Sequence, residues 1–231
     1  MIKLEKVTKK YGKETALEDV DFSFLPGKIY GLVGANGSGK STTLKLIAGL
    51  VQPSSGTVTV NGKQVNRKIA ADVSYLTELD MFYDGFTVAD MISFSASQFQ
   101  DLNLETATEL LHFMELDKAK KIKELSKGNR GRLKLVLSLS RQVPVLLLDE
   151  PFSGLDPMVR DSIVKGLLHY IDFEKQTVII ATHEIAEIEP ILDDVVVINK
   201  GHLAAHFHVD QLKEEQGLSI VEWMKNNIKH S

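Results

Sequence analysis

The sequence contains no cysteine, which excludes disulfides, thiolate metal sites and thiol catalysis and is compatible with a reducing cytosol. It also lacks a strong charge imbalance: a net charge of −4 over 231 residues gives no whole-chain case for nucleic-acid binding. No apolar run approaches the length of a membrane span, and the first residues lack the continuous apolar core of a secretory signal. Any role at a membrane is therefore expected to come through a partner.

The composition is that of an ordinary globular domain, with 43% hydrophobic and 25% charged residues. Short alternating runs predict a β-rich first part, and Asn61-Gly62 predicts a hairpin turn. Helical periodicity begins after Phe86, with Thr87 and Asn103 as N-cap residues of two helices. Buried-strand patterns return at 145–148 and 177–182, so the chain is predicted to be an α/β protein with a helical insert.

A glycine-rich loop lies between a short apolar strand, Ile29–Val33, and an apolar-periodic helix that follows from Thr42. Strand, loop and helix in this order are the context in which such a loop binds the phosphates of a nucleotide. Backbone N–H groups wrap the phosphate oxygens, the lysine reaches the β- and γ-phosphates, and the serine hydroxyl can bind Mg²⁺. The loop consists of Gly34, Ala35, Asn36, Gly37, Ser38, Gly39, Lys40 and Ser41.

Two adjacent acids end the apolar run Val145–Leu148. This pattern is typical of the second half of a P-loop NTPase site, and the glycine-rich loop is the first half. Asp149 is expected to hold Mg²⁺ from the end of the strand. Glu150 is expected to accept a proton from the attacking water as a general base.

Three further motifs extend the pattern: Leu125-Ser126-Lys127-Gly128-Asn129, Ser153-Gly154-Leu155-Asp156 and His183 at the end of the next strand. In this order, over residues 1 to about 212, the five motifs resemble the nucleotide-binding domain of an ATP-binding-cassette (ABC) transporter. The resemblance implies a P-loop NTPase core with a parallel sheet, an N-terminal antiparallel β-subdomain and a helical insert at about 86–140. We therefore expect an ABC ATPase domain at 1–217 and a helical tail at 218–231.

The resemblance also implies roles for individual residues toward ATP and Mg²⁺. It makes Tyr11 the aromatic that stacks on adenine, and it adds Thr42 to the residues that bind phosphate and metal. His183 would contact the γ-phosphate and act with Glu150 and Lys40 in catalysis. Asp156 would lie in a loop that crosses a dimer interface. Four consecutive residues would form a signature loop that binds the γ-phosphate of the nucleotide held by a second subunit. They are Ser126, Lys127, Gly128 and Asn129.

The sequence departs from the family pattern at two places. Glu78 stands where the family has glutamine, so it keeps an oxygen for Mg²⁺, loses an amide donor and adds negative charge beside the triphosphate. Two interpretations stay open: Glu78 binds Mg²⁺ more directly, or it is a neutral variant. In the signature loop Lys127 replaces glycine and Asn129 replaces glutamine, and the lysine adds positive charge near the expected γ-phosphate.

The resemblance implies an ATPase subunit that dimerises with ATP, hydrolyses it, and drives separate transmembrane permease subunits from the cytoplasmic face of the membrane. The docking surface is expected at the helical insert and the loop from Glu78 to Phe86. The short cassette is similar to exporter types. Two alternatives stay open. The first is a non-transport ABC ATPase, and both the absence of a long heptad run and the length of one cassette count against it. The second is a regulatory module that binds ATP without hydrolysing it.

Overall fold

The computed structural model describes residues 1–227, and at positions 157–159, 161, 162 and 165 it describes the backbone alone. Within this part of the chain the strands form two sheets. The strands are β1 (Ile2–Tyr11), β2 (Glu14–Phe24), β3 (Ile29–Val33), β4 (Ser55–Val60), β5 (Lys63–Gln64), β6 (Val73–Leu76), β7 (Val145–Asp149), β8 (Thr177–Ala181), β9 (Asp194–Asn199) and β10 (His202–His208).

The smaller sheet is antiparallel and has the order β2-β1-β4-β5. Its β4 and β5 join through the hairpin that Asn61-Gly62 predicts, with Val60 paired to Lys63. Alternate residues of β1 are buried, including Ile2 and Leu4, because successive side chains of a strand point to opposite faces. The expected antiparallel β-subdomain is therefore present.

The larger sheet has the order β10-β9-β3-β8-β7-β6 and is parallel except for β10 at its edge. Every residue of β3, β7 and β8 is buried. This matches their continuous apolar sequences, since helices and the second sheet cover both faces of a parallel sheet. The sheet therefore supplies a rigid platform whose strand ends can carry a site.

The helices connect the strands of the larger sheet, and three of them form the helical insert between β6 and β7. Thr87 begins the first of these with a capping box to Asp90, and Asn103 caps the second through the N–H groups of residues 105 and 106, as the sequence predicts. The helices are α1 (Lys40–Ile47), α2 (Val88–Gln98), α3 (Leu104–Phe113), α4 (Lys127–Leu139), α5 (Pro157–Tyr170), α6 (Ile185–Ile188), α7 (Val209–Gln216) and α8 (Ile220–Asn227).

Some bounds differ from the pattern in the sequence. Helix α1 begins at Lys40, inside the glycine-rich motif, because Gly39 of the loop is itself the N-cap residue of the helix. Helix α6 is only four residues long, and a 3-10 turn at Glu189–Ile191 follows it. Pro190 in that turn has no N–H with which to continue an α-helix.

The tail packs on the body of the molecule through α8. Ile220 is fully buried, and the Trp223 ring lies 4.7 Å from the Phe207 ring of β10. The sequence predicts a tail helix that continues to Lys229, and positions 228 and 229 lie outside the described residues. In the part of the chain that the structure describes, no helix is both long enough and apolar enough to cross a membrane.

Candidate nucleotide-binding and hydrolysis site

The carboxyl ends of four parallel strands meet at one edge of the larger sheet. The glycine-rich loop follows β3, Thr77 and Glu78 follow β6, Glu150 follows β7 and His183 comes two residues after β8. In open α/β sheets this edge is where ligands bind. The structure therefore brings four of the sequence motifs to one place although they are up to 149 residues apart, from Gly34 to His183.

Two glycines let the phosphate-binding loop (residues 34–41) pass close to neighbouring backbone. Gly34 has φ 155° and Gly39 has φ 117°, in the region that favours glycine. A Cβ at Gly34 would lie 2.1 Å from the Ile198 carbonyl oxygen, and one at Gly39 would lie 2.7 Å from the Ala16 carbonyl oxygen. Any side chain at either position would therefore displace the loop.

The hairpin turn between β9 and β10 supports the same loop, a role that the sequence does not reveal. Gly201 donates its N–H to the Ser38 carbonyl at 2.9 Å, and its own carbonyl accepts the N–H of Glu18 at 2.9 Å. The turn therefore links β2 to the phosphate-binding loop.

Lys40 lies buried under the loop. Its Nζ donates to the carbonyl oxygens of Gly34 at 2.8 Å and Ala35 at 3.1 Å. Burial lowers the pKa of Lys40, and the charges of Glu150 and Asp149 oppose that shift. The ammonium group thus sits between the loop and two carboxylates, where it can meet a phosphate.

Asp149 is buried and both of its carboxylate oxygens accept hydrogen bonds. Ser41 Oγ donates to Oδ1 at 3.1 Å, and the Tyr75 hydroxyl donates to Oδ2 at 3.0 Å. Burial raises the pKa of Asp149, and these two hydrogen bonds act in the opposite direction. Hydroxyl and carboxylate oxygens at one point suit Mg²⁺, which takes one or two protein ligands and completes its shell with phosphates and water.

Glu150 and His183 contact each other across the ends of β7 and β8. Glu150 accepts from Thr182 Oγ1 at 3.0 Å and from the His183 N–H at 3.1 Å, and its Oε1 lies 2.8 Å from His183 Nδ1. The bond to Glu150 raises the pKa of His183. Glu150 also has φ 48°, a left-handed conformation that turns the chain after the strand.

Tyr11 and Glu78 are both accessible. The Tyr11 ring is 45% exposed, and Lys9 Nζ lies 4.8 Å from its centroid, so an exposed face could take a base. Glu78 is exposed, and its carbonyl oxygen accepts from Lys134 Nζ at 2.7 Å. No hydrogen bond or ion pair between described residues joins its carboxylate to Ser41 or Asp149, so its metal role stays a prediction.

The signature loop (residues 126–129) lies at the start of α4. Ser126 is the N-cap, and its Oγ accepts the Asn129 N–H at 3.2 Å. The side chain of Lys127 packs over Gly154, two positions before Asp156, so the two loops that the resemblance places at a dimer interface are neighbours. Among the described residues, no hydrogen bond or ion pair joins the signature loop to the phosphate-binding loop.

Arg160 is a further residue that the sequence does not single out. It is buried, and its guanidinium donates to the Leu155 carbonyl at 3.3 Å and to Glu184 at 2.8 Å, and it also contacts Glu187. It thus links the loop that holds Asp156 to the segment after His183. Its partners lie 5 to 27 positions away, which is why no local pattern marks it.

Comparisons with known proteins agree with this geometry. The family model described as ABC transporter matches residues 17–153. An uncharacterized ABC transporter ATP-binding protein of Methanocaldococcus jannaschii is 31% identical, covering 97% of this chain and 83% of that protein. A lantibiotic transport ATP-binding protein of Streptococcus pyogenes is 29% identical, covering 98% and 96%. A sulfate/thiosulfate import ATP-binding protein of Mycobacterium bovis is 33% identical, covering 85% and 58%.

Solved structures show the same fold. The ATP-binding subunit of an ABC transporter superposes with a TM-score of 0.85 at 25% identity, covering 99% of this chain and 100% of that one. A bacterial ABC transporter cassette solved as a dimer has a TM-score of 0.80 at 25% identity, covering 90% and 99%. With the phosphate-binding loop, the acidic strand and this family match together, the chain belongs to the ABC transporter ATP-binding proteins and is an ATPase.

Proposed function

We propose that this chain forms a dimer of nucleotide-binding domains, either with a second copy of itself or with a similar protein. The two domains would close around ATP, and the closed pair would drive a transporter. The separation of the two loops within one chain carries this proposal. Lys40, Asp149 and Glu150 surround the phosphate-binding loop, whereas the signature loop lies beside Gly154. Among the described residues, no hydrogen bond joins the signature loop to the phosphate-binding loop. A signature loop used by a second subunit accounts for both facts.

Within that pair the residues take the roles that the sequence predicts. Lys40 and the backbone of residues 34–42 bind the phosphates, and Tyr11 stacks on the adenine. Glu150 is the general base for water, since its carboxylate lies at the end of β7 beside the loop. His183, 2.8 Å from Glu150, contacts the γ-phosphate and positions that base.

Mg²⁺ would be held by Ser41 and Asp149, and when bound it would neutralise the charge that develops on the phosphates. In the described chain no group of three or more acidic or histidine side chains is arranged to hold a metal ion. For Glu78 the two interpretations are direct binding of Mg²⁺ by its exposed carboxylate and a neutral variant. An unchanged Mg²⁺ dependence of ATPase activity in Glu78→Gln would leave Glu78 as a neutral variant.

Mixing two inactive variants tests the shared site. Lys40→Ala disables the phosphate-binding loop, and Ser126→Arg disables the signature loop with a bulky cation. Each alone is expected to lose ATP turnover and ATP-dependent dimerisation. In a mixed dimer, the intact phosphate-binding loop of one variant meets the intact signature loop of the other, so equal mixing should restore about a quarter of the wild-type sites.

The control for this mixture is the same pair of substitutions in a single chain. The double variant carries both defects in every subunit, so mixing it with Lys40→Ala creates no site with both loops intact. If the two single variants stay inactive when mixed although both remain folded and bind each other, the shared site is wrong.

We further propose that the transporter is an exporter. One relative, a lantibiotic transport ATP-binding protein, is 29% identical to this chain over 96% of its own length, and this likeness supports the proposal. Transport assays in cells that lack the chain, with accumulation of a toxic peptide or drug as the readout, test the direction.

The partner would be a transmembrane permease at the cytoplasmic face of the membrane. A groove of about 450 Å³ lies between β6, the loop that follows it and the helical insert. Exposed apolar side chains surround it, with Leu79 69% and Met81 74% exposed. Apolar surface of this kind, with Lys45 also among the lining residues, suits a short cytoplasmic helix of the permease with an apolar face and an acidic end.

A further inference from the structure

Asp149 is the carboxylate on which the proposed metal site depends, and its two oxygens have different partners. Oδ1 accepts from Ser41 and Oδ2 accepts from Tyr75, at 3.1 and 3.0 Å. Ser41 is the other proposed metal ligand, so Oδ1 is the oxygen that faces the metal position. Oδ2 is the other oxygen of the same carboxylate, and it is held by a phenol on β6, outside the phosphate-binding loop.

The sheet register explains why Tyr75 reaches Asp149. Tyr75 of β6 pairs with Leu147 of β7, and residues paired across neighbouring strands present their side chains on the same face. Asp149 follows Leu147 by two positions and shares that face. The Tyr75 side chain therefore crosses the diagonal between strands, a distance that a long aromatic side chain can span.

We infer that Tyr75 is a positioning residue for the metal site, because its hydroxyl fixes the rotation of the Asp149 carboxylate so that one oxygen faces the metal. This inference rests on the proposed magnesium site. A carboxylate that is free to rotate presents either oxygen or both, and it loses part of its affinity to the cost of ordering. Hydrogen-bonding partners of metal ligands contribute about 10–100-fold to metal affinity or activity in characterised sites.

Tyr75 also lines the groove that we propose for the permease. Its ring forms part of the groove wall, while its hydroxyl reaches the metal ligand. A core tyrosine needs only a satisfied hydroxyl, and a backbone carbonyl would serve for that. Phenylalanine at this position retains the ring and removes only the donor, so it separates the positioning role from packing.

The experiment measures how much a divalent ion strengthens nucleotide binding. Calorimetry gives the affinity for a non-hydrolysable imido analogue of ATP, once with EDTA and once with excess Mn²⁺. In Tyr75→Phe we expect the Mn²⁺-dependent gain in affinity to fall about tenfold. The affinity in EDTA should stay within about twofold of wild type, because the phosphate-binding loop is untouched.

Two variants frame the result. Tyr30→Phe is the matched control, since Tyr30 is buried and its hydroxyl accepts a hydrogen bond from the Leu25 N–H at 2.8 Å, so it loses a comparable bond elsewhere. It should keep the full Mn²⁺-dependent gain. Asp149→Asn removes the negative charge and one oxygen of the ligand, and it should abolish most of that gain.

The possible results distinguish a failure of the positioning role of Tyr75 from a failure of the proposed magnesium site. If Tyr75→Phe keeps the full gain while Asp149→Asn loses it, the positioning role is wrong and the metal site stands. If Tyr75→Phe weakens binding equally with EDTA and with Mn²⁺, the residue is purely structural, and the inference is again overturned. If Asp149→Asn keeps the gain, the metal site itself is wrong.

Discussion

The charged side chains of the site are each held by groups from other elements, which limits their rotation before nucleotide arrives. Ser41 of α1 and Tyr75 of β6 hold Asp149, and Thr182 and His183 hold Glu150. If Glu150 is the general base, as proposed, a carboxylate that is already oriented needs less reorganisation when water attacks the γ-phosphate. The carboxylate of Glu150 also contacts the His183 ring, so the protonation of His183 depends on the charge of Glu150.

The His183 ring is therefore expected to titrate above its ordinary pKa of about 6.5. Glu150→Gln removes the charge that favours the imidazolium ion, so the pKa of His183 should fall. Because the pKa rises on folding, the pair stabilises the fold fully below about pH 6.5 and loses this contribution as pH rises through the folded pKa. Titration of the ring protons by NMR measures both values.

Glu184→Gln provides the comparison for this titration. Glu184 also raises the pKa of His183, but through charge alone and as a smaller cause than the bond to Glu150. Its substitution should lower the pKa of His183 less than Glu150→Gln does. An equal His183 pKa in wild type and Glu150→Gln would contradict the pairing.

At the scale of elements, one arginine ties the helical insert to the core sheet. Arg141, just after α4, binds both carboxylate oxygens of Asp101 at 2.6 Å and donates to the carbonyls of Val73 and Ala70. Its guanidinium carbon also lies 4.0 Å from the centroid of the Phe99 ring. Asp101 and Phe99 lie between α2 and α3, so a single buried cation joins three parts of the chain.

Loss of Asp101 should therefore destabilise the whole fold. In Asp101→Ala the Arg141 charge stays buried with only the two carbonyls, and the free energy of unfolding should fall by about 3 kcal/mol. Urea denaturation followed by circular dichroism measures this change. Lys175→Ala removes the exposed pair with Asp172 and should leave the urea midpoint unchanged. Equal midpoints for the two variants would show that the buried pair does not join the elements.

The sequence predicts the elements well where local chemistry determines them. Thr87 and Asn103 mark helix starts through their own side chains, and the phosphate-binding loop is recognisable from glycine spacing and its flanking strand. The support of that loop by Gly201 and the bond from Tyr75 to Asp149 span 163 and 74 positions. Such contacts depend on strand order, which local patterns do not contain.

For the whole molecule, β6 and the loop that follows it would connect the nucleotide site to the proposed permease surface. The nucleotide edge of the larger sheet and the apolar groove meet at β6 and the loop after it. Lys134 of α4 donates to the Glu78 carbonyl and pairs with Asp80 at 2.7 Å, so this loop is also attached to the helix that the signature loop begins. Movement of α4 when the pair closes would therefore reach the groove directly.

The proposed docking of a permease in that groove depends on its exposed apolar rim. Met81→Asp places a charge where an apolar helix face would pack, so the fraction of the chain that sediments with the membranes of its own cells should drop severalfold. The ATPase rate of the isolated chain should not change, because the Met81 side chain is 74% exposed and lies outside the phosphate-binding loop and the residues that hold Asp149 and Glu150. Leu25→Asp is the matched control: Leu25 is an exposed apolar residue, 47% exposed just after β2 and outside the helical insert, and this variant should sediment like wild type. Full membrane association and transport by Met81→Asp would place the permease contact elsewhere on the chain.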